Sequence, residues 1–415
     1  MALLGIILAD RCAVQRRLQA RRSLEGRKRM QDWTKERSRT LAEAKCLVVK
    51  IGSAVLTGSN GLKTEVLDSL AAQLARVTRT GRHPRKLLVV SSAAVAAGRA
   101  ALGSHGVLAD TAGLAARQGA AAVGQGRLMR CWDDAFHRQD MLTAQVLLTQ
   151  DDFRVQQRLL NARNTFTEIF SWGAVPIVNE NDTVSTEGLK FGDNDALASL
   201  LVTLVGADLL INLTSSPGVF SEPPREGVTP RILSCIEDVA SLNLDIMCGG
   251  KTNVGTGGMY SKLLSARRAA QRGIPTFILP GREENILLRA FAGEDVGTWV
   301  CPQPRAIPSR KFWMAYKTAP VGRLVIDDGA AEALQKRGKS LLPGGILEVE
   351  GSFDKGDLIR IVHQGRSLGV GVSNYTSEDI VRIKGLKRFE VAAILGNAHY
   401  PEVVHRDNML LDAAI

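Results

Sequence analysis

The chain has 415 residues, 45% hydrophobic and 23% charged, the balance of a soluble globular protein long enough for two or three packed domains. Of its net charge of +11, residues 1–45 hold +7 (twelve Lys/Arg against five acids) and the other 370 residues only +4, so the body is mildly basic and the overall charge does not imply that it binds nucleic acid. No apolar run reaches membrane-spanning length, and the six cysteines (Cys12, Cys46, Cys131, Cys235, Cys248, Cys301) have neither zinc nor disulfide-framework spacing, as for idle thiols in a reducing cytoplasm.

The leader, residues 1–43, has its apolar stretch Ala2–Leu8 ahead of its arginines, the reverse of a secretory signal. It carries several acids, unlike a transit peptide, and a disordered basic extension is expected. From residue 44 strands and helices alternate. Cys46–Ile51 is an apolar strand, followed by a helical pattern through Leu67, Leu70, Leu74 and Val77. Lys86–Ser91 is a second strand, opening into a helix over Ala93–Leu102. Helical stretches over 111–138 and 157–170 flank a strand at Ala144–Leu148, and Val175–Val178 leads into a polar loop over 179–193. Asp195–Val205 reads as helix, Leu209–Leu213 as strand, 259–272 as helix and Thr276–Leu279 as strand. Apolar strands without polar alternation, separated by helices, predict a mainly parallel sheet covered on both faces, an α/β catalytic unit over 44–301.

Pro302, Pro304 and Pro308 mark a linker over 302–318. Arg323–Ile326, Ile346–Val349, Leu358–Val362 and Ser367–Val372 are short β-rich runs with turn signals between them, predicting a small mostly β module over 319–400 and a tail over 401–415.

In parallel sheets ligands gather at the carboxyl ends of strands. That rule selects Lys50-Gly52-Ser53, Ser91-Ser92, Asn179–Asp182 and Thr214–Gly218. Ahead of the helix over 259–272 stands Gly255-Thr256-Gly257-Gly258-Met259-Tyr260-Ser261-Lys262, in which glycines permit close backbone approach to an anion and Lys262 adds a full charge. Two Walker-like endings, Gly250-Lys251-Thr252 and Gly338-Lys339-Ser340, lack the earlier glycine, having Asp245 and Ala333 in its place. Lys50 and Lys262 could clamp a transferring phosphoryl group, chemistry that needs mainly positioning and charge. Asn179-Glu180-Asn181-Asp182 and Gly192-Asp193-Asn194-Asp195 could hold a ligand ammonium, a Mg²⁺ ion or a lysine, or serve as a solvated turn and helix cap.

The segments Val48–Thr57, Val90–Arg99, Ala120–Gln125, Leu159–Thr165, Val175–Asp182, Lys190–Leu197, Gly255–Leu263 and Val404–Met409 together resemble the glutamate 5-kinases of the amino-acid-kinase family, with a C-terminal module similar to a PUA domain. The resemblance spans almost all of 45–409 and implies a three-layer α/β sandwich with a small PUA-like barrel. It implies transfer of the γ-phosphoryl of ATP, carried with Mg²⁺, onto the side-chain carboxylate of L-glutamate, the first step of proline biosynthesis. Matching motif by motif, Lys50, Gly52, Ser53, Thr214, Ser215 and Thr256, Gly257, Gly258, Met259, Tyr260, Ser261 and Lys262 meet ATP. Ser92, Asp182 and Asn194 meet glutamate, and Asp195 orients the lysines or the metal. The family pattern also implies a cytoplasmic homo-oligomer inhibited by proline.

Two positions depart from that pattern. Thr214-Ser215 lacks the carboxylate usual there, and Ala93 stands where glycine is common, so the substrate turn must either open to a side chain or shift. Another carboxylate or carbamate kinase of the same fold is a rival reading. An RNA-binding or RNA-modifying protein using the PUA-like module and basic leader is another, and it would lose affinity steeply with salt.

Overall fold

The computed structural model describes residues 33–107, 113–185, 194–224, 230–248, 258–317, 319–395 and 400–411. Helix α1 (33–43) precedes β1 (Cys46–Ile51), the short α2 (Ser53–Leu56) and a small hairpin of β2 (Thr57–Gly58) and β3 (Gly61–Leu62). Then come α3 (Thr64–Arg79), β4 (Lys86–Ser91), α4 (Ala94–Ser104), α5 (Leu114–His137), β5 (Thr143–Leu148), α6 (Gln150–Arg154), α7 (Gln156–Ser171) and β6 (Val175–Glu180). The second half adds α8 (Asn194–Val205), β7 (Leu209–Thr214), β8 (Cys235–Ile236), α9 (Leu244–Met247), α10 (Met259–Gln271), β9 (Thr276–Pro280), α11 (Ile286–Phe291) and β10 (Thr298–Val300).

Eight of these strands form one sheet in the order β5-β6-β4-β1-β7-β9-β10-β8. Every pairing in it is parallel except β9 with β10. Strands β1, β6, β7 and β9 are buried along their whole lengths, as expected of largely apolar strands covered on both faces. The two-residue period sorts their side chains. Leu47, Val49 and Ile51, with Leu209, Ile211 and Leu213, enter a core shared with Leu67 and Leu70 of α3, Trp132 of α5 and Ile286 of α11. Val48 and Leu210 enter the opposite core with Phe166 of α7 and Leu197 and Leu201 of α8. The three-layer sandwich with a mainly parallel sheet is thus present, and its central parallel strands deliver Lys50, Ser91, Glu180 and Thr214 to one edge.

Helices α4 and α5 touch backbone to backbone. A Cβ on Gly98 would lie 1.7 Å from the Ala120 carbonyl oxygen, and one on Gly124 would lie 1.8 Å from that of Ala94. Two of the quoted motifs, Val90–Arg99 and Ala120–Gln125, meet at this crossing.

The C-terminal part contains α12 (Ser309–Lys317), β11 (Gly322–Ile326), α13 (Asp328–Arg337), β12 (Ile346–Glu350), β13 (Leu358–His363), β14 (Arg366–Val372), α14 (Ser377–Ile383), α15 (Arg388–Leu395) and β15 (Met409–Leu411). Its five strands order as β12-β11-β13-β14-β15 around a core of Leu324, Ile326, Ile359 and Ile361 with Leu334, Ile380 and Ile383.

Three segments that composition sets outside the folded units carry structure. Within the expected disordered leader, residues 33–43 form α1. Arg37, only 5% exposed, lies over the Trp33 ring and donates to the Gly293 carbonyl, so part of the basic excess belongs to a docked helix. Within the expected linker, α12 begins just after Pro308, and its Phe312 and Ala315 are buried in the core that α7 and α8 share. Within the expected tail, Met409–Leu411 pairs antiparallel with Gly369–Gly371 of β14. Of the two Walker-like endings, Gly338 (φ 57°) caps the C-terminus of α13 by donating to the Ala333 carbonyl, the ordinary use of glycine at that position, and 250–252 lies outside the described residues. Among the described residues no helix is long and apolar enough to cross a membrane.

Candidate active site

Asp195, in the first turn of α8 and 0% exposed, is the hub of the strand-end cluster. Its Oδ1 meets Lys50 Nζ at 2.5 Å and accepts a hydrogen bond from Asn212 Nδ2 at 2.8 Å. Its Oδ2 accepts from Ser261 Oγ at 2.7 Å and from Lys262 Nζ at 3.2 Å. The cluster arises from sheet register and helix packing together. Lys50 pairs with Asn212 across β1 and β7, so both side chains point to the face that α8 covers. Helix α10, which packs on α8, adds Ser261 and Lys262 from its own first turn. Burial pushes the Asp195 carboxyl up, but the Lys50 and Lys262 ammonium groups and the hydrogen bonds from Lys50 and Ser261 outweigh it. The group is held well below the usual carboxylate range and stays ionised.

A second, uncharged chain of hydrogen bonds adjoins the first. Asn194 Nδ2 donates to Ser92 Oγ and to Asn179 Oδ1, both at 2.8 Å, and Asn179 Nδ2 donates to Gln125 Oε1 at 2.9 Å. Asn194 Oδ1 is buried with no hydrogen-bond partner among the described residues, an acceptor suited to a ligand's N–H or ammonium. Asp182 lies beyond this chain. Its carboxyl is pushed up to about 6, chiefly by burial and next by neighbouring Glu180, with Arg117 opposing.

The structure therefore brings together Lys50, Asp195, Lys262 and Ser261, and beside them Ser92 and Asn194. Gly52 borders Lys50: a Cβ there would sit 4.0 Å from Nζ and 3.6 Å from the Leu213 carbonyl oxygen. Ser53 is exposed at the start of α2, and at the end of β7 Thr214 is buried and Ser215 exposed. Gly258 caps α10 and Met259 and Tyr260 open it. Thr256 and Gly257 lie outside the described residues, as does 186–193. Asn212 and Gln125 are members that motif reading left without a role. Their signal was a single amide in or beside otherwise apolar text, Leu209–Leu213 for Asn212 and Ala120–Gly124 for Gln125.

Ala93 answers the substrate-turn question against expectation. It takes φ 99°, ψ 5° as the residue before α4, a left-handed conformation that residues with a side chain rarely adopt. An L-residue there suffers about 1–2 kcal/mol of steric strain. The cysteines, dispersed in sequence, are not all dispersed in space. Cys235 on β8 and Cys301 just after β10 lie with their sulfurs 3.6 Å apart, and that contact, then burial, raises the Cys235 thiol.

A profile of the Amino acid kinase family matches residues 45–280, and one of the PUA domain matches 322–395. The chain is 57% identical to a glutamate 5-kinase of Nitratidesulfovibrio vulgaris over 92% of its length and all of the relative's. It is 53% identical to a glutamate 5-kinase of Oleidesulfovibrio alaskensis over the same shares. A solved UMP kinase from Bacillus anthracis is similar at 15% identity and a TM-score of 0.41, covering 62% of this chain and 96% of that one. With its sheet, its strand-end lysines, the two matched family profiles and the glutamate 5-kinase relatives in agreement, the chain belongs to the amino acid kinase family and carries a C-terminal PUA domain.

Proposed function

We propose that the protein transfers the γ-phosphoryl of ATP to the side-chain carboxylate of L-glutamate, giving L-glutamyl 5-phosphate, the first step of proline biosynthesis. The observation that carries this reading is the convergence of Lys50 and Lys262 on the two oxygens of Asp195, beside a neutral amide and hydroxyl pocket. Two lysines from distant parts of the chain, held at one carboxylate, can grip opposite sides of a triphosphate and offset the repulsion between two reacting anions. The acceptor, with a carboxyl pKa of about 4.3, is already ionised at neutral pH, so attack requires no general base.

In this reading Gly52, Ser53, Thr214 and Ser215 flank the nucleotide from the strand ends, and Gly258–Lys262 approach its phosphates from α10. Ser92 and Asn194 orient glutamate, and ionised Asp182 holds its ammonium group. Among the described residues no three His, Cys, Asp or Glu gather as a metal-holding group, and both Asp195 oxygens are already engaged. That donor set fits a Mg²⁺ ion carried on the ATP phosphates, where it would neutralise charge, with Asp195 serving to orient the lysines. Proline, the product of the route, is the expected inhibitor at the glutamate pocket.

The test is coupled ADP release with Mg²⁺-ATP, with and without L-glutamate, and with N-acetylglutamate, aspartate and UMP as competing acceptors. Glutamate alone should stimulate release, and added proline should raise the glutamate requirement. ADP release indifferent to glutamate would reject the assignment.

A further inference from the structure

Asn212 interrupts an otherwise apolar strand, Leu209-Leu210-Ile211-Asn212-Leu213, and is 0% exposed. Its Nδ2 donates to Asp195 Oδ1, the oxygen that Lys50 also meets, while its own Oδ1 is buried without a hydrogen-bond partner among the described residues. A buried amide with one end unsatisfied is a poor choice for packing alone, since leucine would fill a similar space with no polar atom to desolvate. What the amide provides is direction. Asp195 has two oxygens and, from this part of the chain, two lysines to serve. With Oδ1 tied to the sheet by Asn212 beside Lys50, Oδ2 is turned toward α10, where Ser261 and Lys262 reach it.

We propose that Asn212 is a positioning residue for phosphoryl transfer: by anchoring Oδ1 it divides the Asp195 carboxylate between Lys50 and Lys262 and thereby fixes the spacing of the two ammonium groups. The inference rests on the proposed function for its kinetic consequence. Without the amide, Oδ1 loses its tie to the sheet, so the carboxylate is held less firmly between Lys50 and the Ser261–Lys262 turn, and Lys262, which also donates to the Gly258 carbonyl, is drawn less closely to Oδ2. Misplacement of a catalytic group by about 1 Å can lower a rate on the order of 100-fold.

The test uses the full chain and two variants. Asn212→Leu removes the donor and keeps the branched shape: kcat per folded molecule should fall about 10- to 100-fold, with the glutamate and ATP KM values within about threefold. Asn212→Asp can donate only when protonated, and two adjacent carboxyls tend to share one proton. Its kcat relative to the unmodified protein should therefore rise as pH falls from about 8 to about 6, while the deficit of Asn212→Leu stays flat with pH. Circular dichroism and thermal melts supply the folded fraction. A purely packing role would lower that fraction and leave kcat per folded molecule normal in both variants, which would overturn the proposal. A crystal structure of Asn212→Leu tests the same point without turnover, since Asp195 unrotated, with both lysines in place, would also overturn it. Failure of the unmodified protein to release ADP with glutamate would reject the proposed function alone and leave that crystallographic test standing.

Discussion

Replacing Gly124 by alanine tests how the helix crossing supports the pocket. The added Cβ would lie 1.8 Å from the Ala94 carbonyl oxygen and 2.4 Å from the Gly98 nitrogen. Both are backbone atoms, so no side chain can swing aside. Ordinary contact begins at 3.4 Å, so α4 and α5 must separate by about 1.6 Å along that line or deform. Overpacking of this kind typically destabilises by about 1–3 kcal/mol, and backbone-on-backbone contact puts Gly124→Ala at the upper end. In a domain of this size that is a fall in Tm of about 5–10 °C. The next residue is Gln125, whose Oε1 accepts from Asn179 at 2.9 Å, and Asn179 in turn accepts from Asn194. A shift of about 1.6 Å breaks the first of these bonds and loosens the second, so kcat/KM for glutamate should fall about tenfold or more. The ATP KM should change by less than about threefold, because Lys50, Asp195 and Lys262 stand on other elements. Thermal melts and steady-state kinetics with each substrate varied supply both readings. A variant with unaltered Tm, or with an unaltered glutamate KM and kcat, would refute the claim that this contact sets the pocket.

Lys50→Ala and Lys262→Ala should each lower kcat by orders of magnitude, since each removes charge needed most in the transition state, and near-normal turnover in either would reject its role. The Asp182 carboxyl, pushed up to about 6, gains a proton as pH falls through that value and loses the charge that would hold the glutamate ammonium. Therefore kcat/KM for glutamate should drop about tenfold per unit below about pH 6, and Asp182→Asn should be weak at all pH and lack that limb. At Ala93, glycine relieves about 1–2 kcal/mol of left-handed strain but forfeits a buried methyl and frees the unfolded chain, so Ala93→Gly should leave stability within about 1 kcal/mol. Ala93→Val adds a branched Cβ to the same φ and a packed site and should destabilise by more than about 2 kcal/mol in urea unfolding.

Local text was enough for features whose cause is local. Cys46–Ile51 and Lys86–Ser91 are strands to the residue, because apolar runs ending in Gly or Ser leave little choice of period or length. Lys50 and Lys262 stand out in the sequence because each lies at a strand end or helix start near glycine, and both meet Asp195. Helix α12 was hidden by the prolines ahead of it, since the reason for its nine residues to be helical is the core that receives Phe312 and Ala315. The neighbourhood of Cys235 and Cys301 depends on β8 pairing with β10, sixty-odd residues away, and no local pattern encodes it. Asn212 belongs to the same class: in its strand it reads as an imperfection, and it acquires meaning only from register with Lys50.

Register also explains why the site had to form here. The two-residue period that sends Val48 into the core beneath α8 sends Lys50 to the same face one step later, where an ammonium group 3% exposed is tolerable only beside an anion. Asp195 supplies that anion from the first turn of α8, where the positive end of the helix dipole favours a carboxylate before any lysine arrives. Once Asp195 is fixed there, the opening turn of α10, packed on α8, brings Lys262 to the carboxylate's remaining oxygen. The demand of a buried charge for a partner thus links strand, helix and loop into one site, and a substitution that neutralises Asp195 should be felt at both lysines at once.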